Sequence, residues 1–210
     1  MTCIAHNITV LKKQIGPAAT LVAVSKMQPD ERIEQALEAG QRVFGENRVQ
    51  EAQERWTRRR AEYPDLILHL IGPLQTNKVR DAVALFDVIE TIDRPKLADA
   101  VLEEMRRQAR QVKCLAQVNT GREEQKSGVA LEDLPALLKH CRAIGLKIDG
   151  LMCIPPVDEP AGLHFALLKK LAARHGLEKL SMGMSGDFEK ALLVGASSVR
   201  IGTGVFGERG

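Results

Sequence analysis

The sequence predicts an α/β fold, a single (β/α)8 barrel of the TIM type with an extra N-terminal helix, and three observations carry that expectation. Short, nearly continuous apolar runs alternate with amphipathic stretches eight times along the 210 residues, the pattern of parallel strands buried on both faces by helices. Polar residues collect where those runs end, which is where a barrel carries its functional loops. The first run is followed by Ser25-Lys26-Met27-Gln28-Pro29, whereas the competing open, doubly wound sheet usually carries a glycine-rich loop there. No low-complexity linker divides the chain, so residues 1–210 read as one domain, a length at which one core is well buried.

The elements follow in order. A short amphipathic helix opens the chain. The run Leu21-Val22-Ala23-Val24 is the first strand, and a helix starting at Pro29 follows, with Ile33, Ala36 and Leu37 on its apolar face and Gly40 beyond its end. Proline in the first turn and glycine past the last is the expected asymmetry. The second strand ends in Val43-Phe44-Gly45-Glu46-Asn47 and feeds a helix carrying Val49, Ala52 and Trp56. The third and fourth runs are 66–72 and 86–92, and the fifth and sixth are 114–119 and 148–154. The seventh and eighth are 180–184 and 198–202, the seventh leading to a helix that begins near Asp187. Pro155 to Pro160 reads as a stiff loop after the sixth strand.

Composition excludes several function classes. Apolar residues at 44% and charged residues at 27% describe a globular chain rather than a disordered or membrane one. Thirty basic and 27 acidic residues nearly cancel to +3, which leaves no basic arm for nucleic acid. The one basic cluster, Arg55, Arg58, Arg59 and Arg60 around Trp56, reads as the solvated face of a helix. Cys3, Cys114, Cys141 and Cys153 are scattered, form no C-x-x-C pair and have no histidine at ligand spacing, so no metal site and a reduced, cytoplasmic setting are expected. His140 and Cys141 are adjacent on a helix and point to different faces, against a nucleophile and its base. Residues 1–15 lack the apolar core of a signal peptide, and no segment is long and apolar enough to span a bilayer.

The strand ends supply Lys26, Asn47, His69, Asn119, Ser181 to Ser185, and Arg200 to Thr203. A lysine closing an apolar strand stands partly desolvated at the mouth, where its amine can attack an aldehyde and form a Schiff base; alone, it would read as a side chain reaching into solvent. The segment 181–187 brings small residues and two hydroxyls to the start of a helix, and Gly202-Thr203-Gly204 exposes backbone amides after the last strand. Loops after strands seven and eight are the recurrent phosphate site of this barrel. Arg200 shares a strand face with Gly202. Two readings stay open for it: a core ion pair, or a guanidinium facing a pyridine nitrogen, which it would keep unprotonated because it has only donors.

The ordered blocks 22–26, 44–51, 69–78, 117–120, 126–128, 150–152, 180–187 and 199–203 make the chain resemble the pyridoxal phosphate homeostasis proteins across nearly its whole length. Ser181-Met182-Gly183-Met184-Ser185-Gly186-Asp187-Phe188 and Val199-Arg200-Ile201-Gly202-Thr203 are the most specific of them. The resemblance implies an alanine-racemase-like barrel with pyridoxal 5'-phosphate (PLP) on Lys26, Arg200 facing the ring nitrogen, Ser185, Gly202 and Thr203 on the phosphate, and Asn47 near the ring. Leu68 stands where the family often has tryptophan. The implied function is that of a monomeric, cytoplasmic PLP carrier or buffer in amino-acid balance. Its implied partners are PLP, amino acids and PLP-dependent apo-enzymes as recipients, without nucleic acid or membrane. Lys78 and Lys126 are candidates for a second PLP.

The competing reading is a weak PLP-dependent amino-acid racemase. That chemistry needs acid or base groups on both faces of the substrate carbon. The only tyrosine, Tyr63, falls in a helix-to-strand connection, and the chain is expected to lack the racemases' C-terminal β domain. A third reading, a PLP-free phosphosugar barrel, leaves Lys26 without a role.

Overall fold

A computed structural model describes residues 3–123 and 125–208. Its eight strands are β1 (Thr20–Val24), β2 (Val43–Glu46), β3 (Ile67–Leu70), β4 (Val88–Ile92), β5 (Lys113–Gln117), β6 (Ile148–Met152), β7 (Lys179–Ser181) and β8 (Ser198–Ile201). They close in sequence order into a parallel barrel, β8 returning to β1 with Val22 opposite Arg200. The helices between them are α2 (Asp30–Glu38), α3 (Val49–Glu62), α4 (Val79–Leu85), α5 (Pro95–Arg107), α6 (Leu134–Ile144), α7 (Ala161–Arg174) and α8 (Phe188–Val194). The predicted extra helix is α1 (Ile4–Ile15), and a single turn, α9 (Thr203–Phe206), follows β8.

Strand alternation divides the buried residues into two shells. Ala23, Phe44, Leu68, Ile89, Leu151 and Val199 face outward and pack with Ile33, Trp56, Val101 and Phe165 of the helices. Val22, Val24, Val88, Leu115 and Met152 are buried but stand apart from that cluster, on the barrel interior. Sealing one large apolar side chain contributes about 1.5–3 kcal/mol, so the outer shell, with far more such groups, dominates stability. That leaves the interior free to hold polar groups, and Glu90, Ser181 and Arg200 are all buried.

The eight predicted strands are all present; the fourth run starts early, with Phe86 and Asp87 before β4, and the runs extend past the strand ends, as at Asn47, Asn119 and Ile154. There the ladder ends as the chain splays into the rim, although Ile71 N–H still donates to Glu46 O at 2.9 Å. Helix α1 buries Ile4, Ile8, Leu11 and Ile15 against the barrel, and Asn7 Nδ2 donates to Val205 O at 3.0 Å.

The arginine cluster on α3 departs from expectation. Arg58 is solvated, with 89% of its side chain exposed, but Arg59 pairs with Glu34 at 2.7 Å and Arg60 pairs with Asp87. Arg55 reaches Glu46 at 2.8 Å. Helical periodicity shows which residues share a face; it does not show that a neighbouring helix, a strand and a loop bring Glu34, Glu46 and Asp87 to that face. Among the described residues no helix is long and apolar enough to cross a membrane, and no cluster of three or more His, Cys, Asp or Glu could hold a metal ion.

Candidate functional site

The turn that carries Lys26 is held from outside the barrel. Ser25 faces the helices, where its hydroxyl donates to Glu46 Oε1 at 2.7 Å, and Lys26 follows it in the turn that leaves β1, half-buried. The same carboxylate oxygen accepts from Arg55 Nη1 at 2.8 Å and from Trp56 Nε1 at 2.9 Å. Arg55 also donates to Ser25 O at 3.0 Å and to Gln28 O at 3.1 Å, bracketing Lys26 and Met27. Met27 takes φ 58°, the left-handed region that non-glycine residues rarely adopt. A buried ion pair thus fixes the tight turn that carries Lys26.

The remaining predicted residues stand on the same rim. Asn47 follows β2 directly, and Gly72 packs on it so closely that an added Cβ would lie 2.3 Å from Asn47 O. Asn47 also borders a cleft of about 580 Å³ that reaches Arg48, Gln75 and Lys78. After β7, Gly183 has φ 95° and leaves no room for a Cβ, which would stand 2.6 Å from that of Ala191. Asp187 then accepts the Met184 N–H at 2.6 Å, and the turn presents Ser185, whose Oγ accepts from Gly204 N–H at 3.2 Å. Gly202 lies beside β1, with Val24 3.6 Å from where its Cβ would be. Thr203 is exposed at the top of β8. The loops after strands one, two, seven and eight therefore bring Lys26, Asn47, Ser185, Gly202 and Thr203 to one end of the barrel.

Arg200 lies deeper than these, only 3% exposed. Its Nη1 donates to Ser181 Oγ at 2.5 Å and its Nη2 to Cys153 O at 2.7 Å. Ser181 passes its own proton toward Glu90 Oε2 at 2.6 Å, and Glu90 lies 3.8 Å from Arg200. The core ion pair is present. The bonds to Ser181 and Cys153 occupy two donors of a group that has five, so a further acceptor can still be met. His69 Nδ1 completes the chain, 2.6 Å from Glu90 Oε1. Burial pushes the Glu90 carboxyl up, but the His69 bond and charge, the Arg200 charge and the Ser181 bond together hold it below the usual carboxylate range.

Sequence reasoning missed Glu46, Arg55 and Glu90 as parts of this arrangement, and it grouped Ser181 with the phosphate segment, whereas its hydroxyl lies between Glu90 and Arg200. The available signal was an acid inside an apolar run, in Val88-Ile89-Glu90-Thr91-Ile92 and in Val43-Phe44-Gly45-Glu46. The tryptophan position of the resemblance, Leu68, is buried in the shell between barrel and helices rather than at the mouth. Cys114, Cys141 and Cys153 are buried and Cys3 is exposed: burial pushes the Cys114 and Cys153 thiols up to about 12 and that of Cys141 up to about 11. His140 bonds Asp99 at 2.7 Å, away from Cys141. Of the second-site lysines, Lys126 is paired with Glu123 at 2.6 Å, while Lys78 lines the cleft beside Asn47.

Residues 1–210 match the family described as alanine racemase, N-terminal domain. A protein of Pseudomonas aeruginosa named pyridoxal phosphate homeostasis protein is 41% identical over all of this chain and 97% of its own length. PipY of Synechococcus elongatus, 38% identical, superposes with a TM-score of 0.91 in its structure without PLP and 0.89 in its structure with PLP bound. In each case the match covers 97% of this chain and 100% of PipY.

Proposed function

The chain belongs to the pyridoxal phosphate homeostasis protein family, and from that premise we propose that it binds PLP at the barrel mouth, as a Schiff base on Lys26, and acts as a carrier or buffer of the cofactor. The observation that carries the proposal is the placement of an amine beside an anion cradle: the clamped Lys26 turn ends β1, and the neighbouring β8 ends in Gly202, packed against Val24.

The residues fit the cofactor. Ser185 and the amides around Gly202 and Thr203 hold the phosphate, each charge-assisted bond contributing about 1.5–3 kcal/mol. Arg200 keeps donors for the ring nitrogen, and Asn47 stands at the ring edge. When bound, PLP supplies an aldehyde that exchanges between amines and, with a protonated ring, an electron sink; the guanidinium of Arg200 has no acceptor to offer a ring N–H and so opposes that protonation. Lys26 holds and releases the aldehyde, and amino acids compete for it.

Carrier function, rather than racemase turnover, is supported by the location of Tyr63. It ends α3, beneath the Arg42 guanidinium at 4.9 Å, at the opposite end of the barrel from Lys26, because the helices run back against the strands. We further read the whole chain as one cytoplasmic, monomeric PLP-binding unit that delivers its cargo to PLP-dependent apo-enzymes.

Titration with PLP tests the proposal. The wild-type chain is expected to develop the absorption band of lysine-linked cofactor, and Lys26→Ala to lose it while keeping its circular dichroism. Pyridoxal, without the phosphate, is expected to bind at least about tenfold more weakly, the equivalent of about 1.4 kcal/mol. Loaded protein is expected to reactivate an apo-enzyme without racemising amino acids. An unchanged band in Lys26→Ala overturns the lysine assignment, and Lys26-dependent racemisation at about 1 per second or faster, the range of ordinary enzymes, overturns the carrier.

A further inference from the structure

Barrel interiors of this type are filled by layers of branched apolar side chains, and this one instead encloses an acid. Glu90 is fully buried on β4, and its carboxylate bonds Ser181 across the ring of strands while His69 occupies its other oxygen. An ionised carboxylate only accepts, so the nitrogen that meets it must carry the hydrogen. His69 therefore carries a hydrogen on Nδ1. In a neutral imidazole the other nitrogen is then an acceptor.

That other nitrogen, Nε2, has no partner among the described residues, yet it is not among the polar atoms sealed from solvent without one. Twelve per cent of the side chain remains exposed. His69 lies on β3, whose following loop packs on Asn47 through Gly72.

We infer that His69 is a further ligand-facing residue of the mouth, presenting Nε2 as an acceptor in its neutral form, and that Glu90 is the residue that positions it while also countering the charge of Arg200. The ligand feature such an atom recognises is a donor, a hydroxyl or an ammonium N–H. This rests on the reading of the mouth as the PLP site, and it adds to Lys26, an amine that bonds covalently, a group on another strand that bonds by hydrogen alone. One carboxylate then links the two sides of the interior: through Ser181 it steadies the guanidinium on β8, and directly it fixes the imidazole on β3.

Nitrogen-15 NMR of the imidazole in cofactor-free protein, in buffer alkaline enough to keep it neutral, tests the geometry without any catalytic readout. The wild-type spectrum is expected to show a protonated, pyrrole-type Nδ1 and an unprotonated, pyridine-type Nε2 for His69. Glu90→Gln, whose amide can donate as well as accept, is expected to lose that preference. Addition of PLP to the wild-type protein is expected to shift the Nε2 resonance.

A wild-type His69 protonated on Nε2, or an unchanged tautomer in Glu90→Gln, overturns the positioning role. Should that variant fail to fold, the wild-type tautomer alone decides the role. PLP bound by absorbance with His69 resonances unmoved overturns the ligand-facing role and leaves the proposed function standing. Absence of PLP binding overturns both the proposed function and the ligand-facing role, and the tautomer still reads the Glu90 contact.

Discussion

Arg55 is the residue on which the Lys26 turn most depends. It has 14% of its side chain exposed and faces a carboxylate with none exposed, so removing the guanidinium leaves Glu46 charged and under-partnered in a desolvated place. Breaking such a pair costs about 3–5 kcal/mol. Arg55→Met is therefore expected to lower the melting temperature and to slow the reaction of Lys26 with PLP, because Ser25 O and Gln28 O lose their common donor. Arg58→Met, at an exposed position three residues on, is expected to change neither. Equal reaction rates in the two variants would show that the turn holds without its clamp. At this scale the placement of Lys26, Asn47, Ser185, Gly202 and Thr203 at one end of the barrel was legible, because strand ends and glycine-rich turns are local features. Glu46 and Glu90 stayed hidden because the face on which a strand residue points is settled by long-range pairing: Glu46 faces α3 and Glu90 the interior, though both stand in similar apolar runs. The same pairing bears on substitutions of Arg200. A glutamate there would face Glu90, now 3.8 Å from the guanidinium, so glutamine is the more informative replacement for probing the ring nitrogen.

The strand–helix units were legible because each obeys a local period, and the signals at Pro29, Gly40 and Asp187 marked the ends of α2 and the start of α8 within a residue or two. The segment between β7 and α8 shows what that grammar leaves out. Strand β7 has only three residues and meets β8 through the single register pair Ser181 and Ser198, so the loop after it is shaped by α8 and by Gly183. The Gly183 carbonyl accepts the Arg200 N–H at 2.9 Å, tying the loop to the strand that carries the guanidinium. Gly183→Ala puts a methyl group against Ala191 in a left-handed conformation, a strain of about 1–3 kcal/mol. It is expected to push α8 outward and to move Ser185 off Gly204. PLP should then be held more weakly while pyridoxal, which makes no phosphate contact, is held as before. An unchanged preference for PLP over pyridoxal in that variant would mean that this loop does not carry the phosphate.

Closure of the barrel is what turns scattered strand ends into one site. Lys26 and Arg200 are 174 residues apart in the chain, yet β1 and β8 are hydrogen-bonded neighbours, with Val22 opposite Arg200. Eight repeats of one pattern made closure predictable. The division of the buried residues into an apolar outer shell and a partly polar interior was not, since both shells draw on the same runs of sequence. The account as a whole requires that PLP choose Lys26 over the two other lysines near the mouth, Lys126 in its ion pair with Glu123 and Lys78 in the cleft beside Asn47. Borohydride reduction of the PLP-loaded protein, followed by peptide mapping, makes that choice permanent and readable. The account predicts one reduced phosphopyridoxyl group per chain, on Lys26. Label on Lys78 or Lys126 with Lys26 unmodified, or no label at all, would contradict it.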